Sequence, residues 1–302
     1  MARPSMRTPE RQERFLAALA EGKRLAAAAR EIGVDPRTLH YWRDDDEAFA
    51  AAWDATLRRR RAERRRSARR APPPRSAFAA ACDPACRLFQ LFPDTGPLRR
   101  ELYRKHLEFF RLGAASRERL FLAANRVGKT EGAGGYETVL HLTGLYPDWW
   151  EGRRFDRPVR ALIAGETAKT VRDIVQRKLF GPPGGRGTGL LPAATIVATN
   201  AKAGAAGAVD TARIRHAGGG ESLLIFRSFD QGREAFQGDE QDVVWLDEEP
   251  PLDVYTECLV RTMTTGGFVM LTFTPLNGWT DVVRLFLETP QPAATESRSA
   301  LP

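Results

Sequence analysis

Cysteine is scarce. Three residues in a chain of 302 cannot make a disulfide framework, so a reducing, intracellular setting is expected. Cys82 and Cys86 stand in CDPAC, but Cys258 is far along the chain and no companion His pair follows, so ordinary thiols are expected rather than zinc. No run of about 18 apolar residues exists, which excludes a membrane-spanning helix as far as sequence can. The opening MARPSMRTPERQERF carries no apolar core of a secretory signal. No sequence repeat is visible either. What remains is a composition ordinary for a globular protein, long enough for two domains.

Positive charge is present, and unevenly. The net charge is +8. Residues 1–75 carry 19 Lys/Arg against 11 Asp/Glu, whereas the remaining residues carry 27 of each, so the whole excess lies in the first quarter. Much of it is RRRRAERRRSARR, Arg58–Arg70. Such a run is either a solvated tail or a contact to nucleic-acid phosphates, where it would release counterions.

The chain reads as successive parts. Residues 1–57 are expected to be helical, opening on a Thr8-Pro9 cap. Phe15, Leu16, Leu19 and then Leu25, Ala28, Ala29, Ile32 recur at three- and four-residue spacing, as the buried faces of helices do. Gly33 breaks the second helix and Asp35-Pro36 starts a third, so AAAAREIGVDPRTLHYWR resembles a helix-turn-helix. On that reading Arg37, Thr38, His40, Tyr41 and Arg43 are the candidate DNA contacts; a small bundle used only for protein contact is the alternative. Residues 58–95 are expected to be a basic, Pro-containing linker. Residues 96–289 alternate short apolar runs with helical stretches, which predicts an α/β domain with a mostly parallel sheet. The expected strands are Arg119–Ala124, Val159–Ala164, Ser222–Phe226, Asp242–Leu246 and Phe268–Phe273. The Gly- and Ala-rich region 181–220 is expected to form loops or a hairpin rather than core, and residues 290–302 a disordered tail.

Chemistry is concentrated in two motifs. RLFLAANRVGKTEGAG runs from an apolar strand through Ala123, Ala124, Asn125, Arg126, Val127, Gly128, Lys129 and Thr130 into a helix. That is the pattern of a phosphate-binding loop, with Ala123 where Gly commonly opens it. Its main-chain N–H groups and the helix N-terminus would face phosphates, with Lys129 at the β- and γ-phosphates of ATP and Thr130 at Mg2+. The second motif is DVVWLDEEP, residues 242–250, which sets carboxylates at the C-terminal edge of a buried strand, where parallel sheets bind ligands. Asp247 is the expected magnesium partner and Glu248 the general base, with Glu249 in reserve. Downstream, the strand of LTFTPLNG (271–278) ends in Thr272 and Thr274, whose hydroxyls are candidates for sensing the γ-phosphate; a plain strand and Pro turn is the alternative.

As a set, AANRVGKT, QGDEQDVVWLDEEPP and MLTFTPLNG make the stretch from about Tyr103 to Glu288 resemble the ATPase domain of tailed-phage terminase large subunits. The resemblance implies an additional-strand, catalytic-glutamate (ASCE) P-loop NTPase that forms a homo-oligomeric ring on a portal protein and moves double-stranded DNA in the cytoplasm of a bacterial host. It implies that Arg126 touches the γ-phosphate from its own subunit and that Thr272-Phe273-Thr274-Pro275 is the coupling element. Departures from the family pattern are equally visible. His106 stands where many members carry an adenine-contacting Gln. Gln237-Gly238 replaces a common Arg-Gly, leaving Arg233 as a substitute trans-acting finger. Full-length members continue into a nuclease with an acidic metal cluster, so no nuclease activity is expected of these residues. The N-terminal module resembles the DNA-recognition part of small terminase subunits, which are themselves expected partners. Another P-loop ATPase or helicase, and a DNA-binding adaptor with a vestigial ATPase, stay open as readings.

Overall fold

Helix signals in the first unit act where they are written. The Thr8 side chain accepts a hydrogen bond from the Arg11 N–H at 3.3 Å and Asp35 accepts one from Arg37 at 2.7 Å, each satisfying a donor of the first turn. These caps open α1 (Pro9–Ala20) and α3 (Pro36–Asp45), with α2 (Leu25–Glu31) between them and α4 (Glu47–Arg69) after. Gly33, at φ 71°, supplies the left-handed turn from α2 to α3. Phe15, Leu19, Ile32, Leu39, Trp42, Phe49 and Trp53 close a core of their own. In it Phe15 and Trp53 meet edge to face at 4.7 Å. The computed structural model describes residues 7–21, 23, 25–69, 79, 82–288 and 298–301, and the chain divides between residues 71 and 72 into two compact units.

One boundary differs from the sequence reading. Arg58–Arg69 is not an extended linker but the last half of α4. Arginine is a good helix former, and nothing interrupts the run before the prolines at 72–74. Those prolines lie outside the described residues.

The second unit is built on a sheet of eight strands: β1 (Glu118–Leu122), β2 (Arg160–Gly165), β3 (Ile196–Ala201), β4 (Val209–Arg215), β5 (Glu221–Ser228), β6 (Val243–Asp247), β7 (Phe268–Phe273) and β8 (Arg298–Leu301). Their order is β3-β4-β5-β2-β6-β7-β1-β8. Along that order every pairing from β5 to β8 is parallel, whereas β4 pairs antiparallel with both β3 and β5. All five expected strands form. Alternate residues of β6 face opposite cores: Val243 and Trp245 enter one, Val244 and Leu246 the other. A strand apolar on both faces needs cover on both, and it has it. The helices that position the site are α5 (Arg87–Gln90), α6 (Arg104–Leu112), α7 (Tyr136–Thr143), α8 (Arg177–Phe180), α9 (Leu252–Met263) and α10 (Asp281–Leu287).

Three further expectations need correction. Residues 82–95 are not linker: Cys82, Cys86, Leu88 and Phe92 are buried in the main core. The ring of Phe92 packs on Tyr103, Phe110 and Tyr136. The tail expected to be disordered carries β8, whose main chain pairs with the edge left free by β1; residues 289–297 lie outside the described set. In 181–220 a hairpin does form, from β3 and β4, but it is not peripheral to the core, since Val209, Ala212 and Ile214 are buried in it.

One glycine is fixed by packing. A Cβ on Gly134 would stand 2.1 Å from the Trp245 ring, whose indole N–H donates to Thr272 at 2.8 Å and so cannot swing away without losing that bond. Gly134→Ala is expected to lower stability by about 1–3 kcal/mol through overpacking. Urea unfolding checks this, and an unmoved midpoint would contradict it.

Candidate active site

β1 ends at Leu122 and the chain turns through residues 123–128 before entering a wide, π-helical segment, Lys129–Gly135, that leads into α7. Two left-handed residues shape the turn: Arg126 at φ 65° and Gly128 at φ 89°. For arginine that conformation costs energy, and such strain clusters where a loop must follow a ligand. Lys129 is brought back over the loop. Its ammonium donates to Ala124 O at 2.9 Å and to Thr274 Oγ1 at 2.7 Å.

The acidic strand supplies the facing wall. Asp247 is the last residue of β6, and the Thr130 hydroxyl stands 3.1 Å from each of its carboxylate oxygens. Thr272 on the adjacent β7 donates to Asp247 at 2.8 Å. Burial pushes the Asp247 carboxyl up to about 7; the Thr272 and Thr130 hydroxyls and Lys129 oppose this, while Glu248 adds to it. Glu248 follows with φ 77°, its N–H bonded to Thr272 O at 3.0 Å. Partial burial raises its pKa, Glu166 adds to the rise, and Lys129 works against it. Burial lowers the pKa of Lys129, and the two carboxylates pull it back.

These groups share one cleft of about 730 Å3, lined by Asn125, Arg126, Gly128, Lys129, Thr130, Asp247 and Glu248. The Lys129 ammonium and the carboxylates of Asp247 and Glu248, far apart in sequence, converge there. Glu166, Thr170 and Lys178 also line it and were missed in the sequence. Glu166 directly follows β2, so the rule that marked Asp247, a carboxylate at the C-terminal end of a parallel strand, would have found it too.

Other candidates sit elsewhere. Thr272 is fully buried between Trp245 and Asp247 and does not line the cleft. Thr274, which accepts from Lys129, also donates within reach of Ala123 O and Asn125 Oδ1, both at 2.9 Å. His106 is buried under the loop, its ring 4.8 Å from that of Phe121. It lines a second pocket of about 260 Å3 with Phe92, Tyr103, Arg126, Val127 and Gly128. Burial lowers the His106 pKa, with a hydrogen bond to the Gly128 main chain opposing it. Arg233 is ion-paired at 2.9 Å with Glu257 of α9 and does not line the cleft of its own chain. Glu249 is bonded to Thr280, which caps α10. On α3, Arg37, His40 and Tyr41 are exposed, whereas Thr38 is half-buried. Arg43 is occupied with Asp54 at 2.9 Å and lies over the Trp53 ring.

A strand separates the phosphate loop's β1 from the acidic β6, and the cleft opens at the C-terminal ends of all three. The fold is therefore that of an α/β P-loop NTPase of the additional-strand type, preceded by a small all-helical unit. A family model described as "Terminase large subunit, T4likevirus-type, N-terminal" matches residues 120–300, and the chain belongs to the terminase large-subunit family. It is 39% identical over 208 residues to the "Terminase, large subunit" of Salmonella phage P22, covering 62% of this chain and 42% of that protein. It also resembles a large terminase from a thermophilic bacteriophage, solved in complex with ADP, at 14% identity and a TM-score of 0.43, over 67% of this chain and 44% of that one. The chain thus spans less than half the length of these relatives.

Proposed function

We propose that this chain is the ATP-hydrolysing motor part of a viral or prophage DNA-packaging terminase, moving double-stranded DNA into a prohead. The convergence of Lys129, Thr130, Asp247 and Glu248 on one cleft carries the reading. Lys129 and the N–H groups of the loop bind and orient the phosphates, and Arg126, held in a left-handed conformation, reaches the terminal one. Glu248 takes the proton of the attacking water; its raised pKa makes it a better base than an ordinary surface carboxylate.

The donors fit a hard cation. Thr130 and Asp247 offer only oxygen, as Mg2+ prefers. Among the described residues no group of three His, Cys, Asp or Glu could bind a metal alone, so phosphate oxygens and water would complete the shell. When bound, Mg2+ supplies neutralisation of charge on the β- and γ-phosphates. The pocket of His106, Tyr103 and Phe92 on the other side of the loop is the proposed seat of the adenine ring, which stacks well on aromatic faces.

Double-stranded DNA, a portal protein, a small terminase subunit and further copies in a ring are the proposed partners, in the host cytoplasm. Among the described residues no helix is long and apolar enough to cross a membrane. In a ring, Arg233 would have to leave Glu257 to serve a neighbour as a finger. The direct test is ATP turnover by the purified chain with Mg2+ and duplex DNA; no binding and no hydrolysis would overturn the proposal.

The helical unit is the proposed DNA-recognition part, through Arg37, His40 and Tyr41 on the exposed side of α3, with Thr38 beside them. Arg37→Ala with Tyr41→Ala is expected to weaken duplex binding by roughly tenfold, the loss of one or two base or phosphate contacts. Fluorescence anisotropy reads it, and unchanged affinity would reassign the unit to protein contact.

A further inference from the structure

The Gly- and Pro-rich segment after α8 takes no part in the cleft chemistry. With the turn between β3 and β4 it walls a groove of about 450 Å3 whose charged side chains are Arg172, Arg177, Arg186 and a single acid, Asp173. Arg172 already neutralises Asp173, in a two-pronged pair at 2.8 and 3.1 Å. Neither Arg177 nor Arg186 is in an ion pair with a described carboxylate, and both are exposed. Arg186 is braced over the Phe180 ring and bonded to Thr199, so its guanidinium is oriented rather than free to wander. The rims are low. A Cβ at Gly184 or Gly207 would meet nothing within 4 Å, so a polymer can approach the arginines closely.

The helical stretch along this groove has a second face. Val171, Ile174, Val175 and Lys178 line the nucleotide cleft, while Arg172, Gln176 and Arg177 line the groove. Between the two, Val171–Gln176 is π-helical. Wide turns of this kind are rare in helices and recur at functional sites, and this one carries residues of both the cleft and the groove.

We propose that this groove grips the phosphodiester backbone of nucleic acid, and that occupancy reaches the nucleotide cleft through the π-helical stretch. Guanidinium groups suit phosphate, with paired N–H donors matched to its oxygens. Its one aromatic ring, Phe180, is covered by Arg186, so the groove offers no platform for a base and reads backbone irrespective of sequence. The second half of the proposal rests on the ATPase reading; the first does not.

Two measurements on the full chain decide it. In the first, Arg177→Glu with Arg186→Glu leaves basal ATP turnover unchanged but cuts the duplex-stimulated increment at least fivefold. It also lowers the salt slope of half-stimulation by about 1.8, the loss of two phosphate contacts at roughly 0.9 each. Lysine at both positions restores part of the stimulation. Full stimulation in the glutamate variant would overturn the coupling. The second is amide hydrogen exchange of the unaltered chain with and without duplex DNA, in the absence of nucleotide. Slower exchange at 172–177 and 181–187 is expected, and protection confined to residues 7–69 would overturn the groove. A chain that hydrolyses no ATP yet protects the groove would sink the motor reading and keep the site.

Discussion

Glu248→Gln is expected to lower ATP turnover by roughly 10^2–10^4-fold while nucleotide stays bound, because the amide keeps the shape of the carboxylate but cannot accept the proton of the attacking water. The geometry makes this a clean change. The Glu248 side chain makes no hydrogen bond among the described residues that the substitution would break, and its main chain stays fixed by the N–H to Thr272 O. Lys129→Ala has a different signature. It removes the cation proposed to face the phosphates and leaves Thr274 without its donor, so both nucleotide affinity and turnover are expected to fall. Equilibrium binding of a fluorescent ATP analogue, set beside single-turnover hydrolysis, separates the two. If the Gln variant hydrolyses as fast as the parent, the base is elsewhere, and Glu166 on the same cleft becomes the first residue to test.

The second large effect lies behind the loop. Arg119, at the start of β1, is fully buried and bonded to Glu137 of α7 at 2.7 and 3.0 Å and to Phe109 O at 2.8 Å. His141 is 3.2 Å from the same carboxylate, but burial lowers its pKa, so Arg119 supplies the balancing charge. Glu137→Gln would leave a guanidinium enclosed without a counter-charge. A loss of about 3–5 kcal/mol in unfolding free energy is expected, since desolvation is no longer offset. Replacing both partners with apolar residues of similar size is expected to return much of it, which a merely disruptive substitution would not do. A urea midpoint for Glu137→Gln within error of the parent would show that water reaches the pair. The same pair ties β1 to α7, the elements that precede and follow the loop and its π-helical segment.

Much of this was legible beforehand, for a physical reason. The phosphate loop and the acidic strand are contiguous in sequence, and each chemical demand falls on residues a few positions apart. β7 showed itself at both ends because a strand buried on both faces must be apolar throughout. What was not legible depended on partners distant in sequence. Cys82, Leu88 and Phe92 show no period of their own yet are buried in the main core, Phe92 against the rings of Tyr103, Phe110 and Tyr136. β8 is an edge strand of four residues held by main-chain bonds, which composition does not encode. Thr272 and Thr274 look equivalent on the page. The pleat sends the first inward to Asp247, and the chain after β7 brings the second to Lys129. Arg58–Arg69 reads as linker by its charge, yet arginine is a good helix former and the run continues α4.

The three thiols are enclosed, and burial raises the pKa of each. Thiolate, the species that attacks maleimides, is therefore scarce at neutral pH. The parent chain is in consequence a quiet background for spectroscopy. A cysteine placed at exposed Tyr41 or Trp279 would take up a dye or spin label selectively, with no native residue removed first.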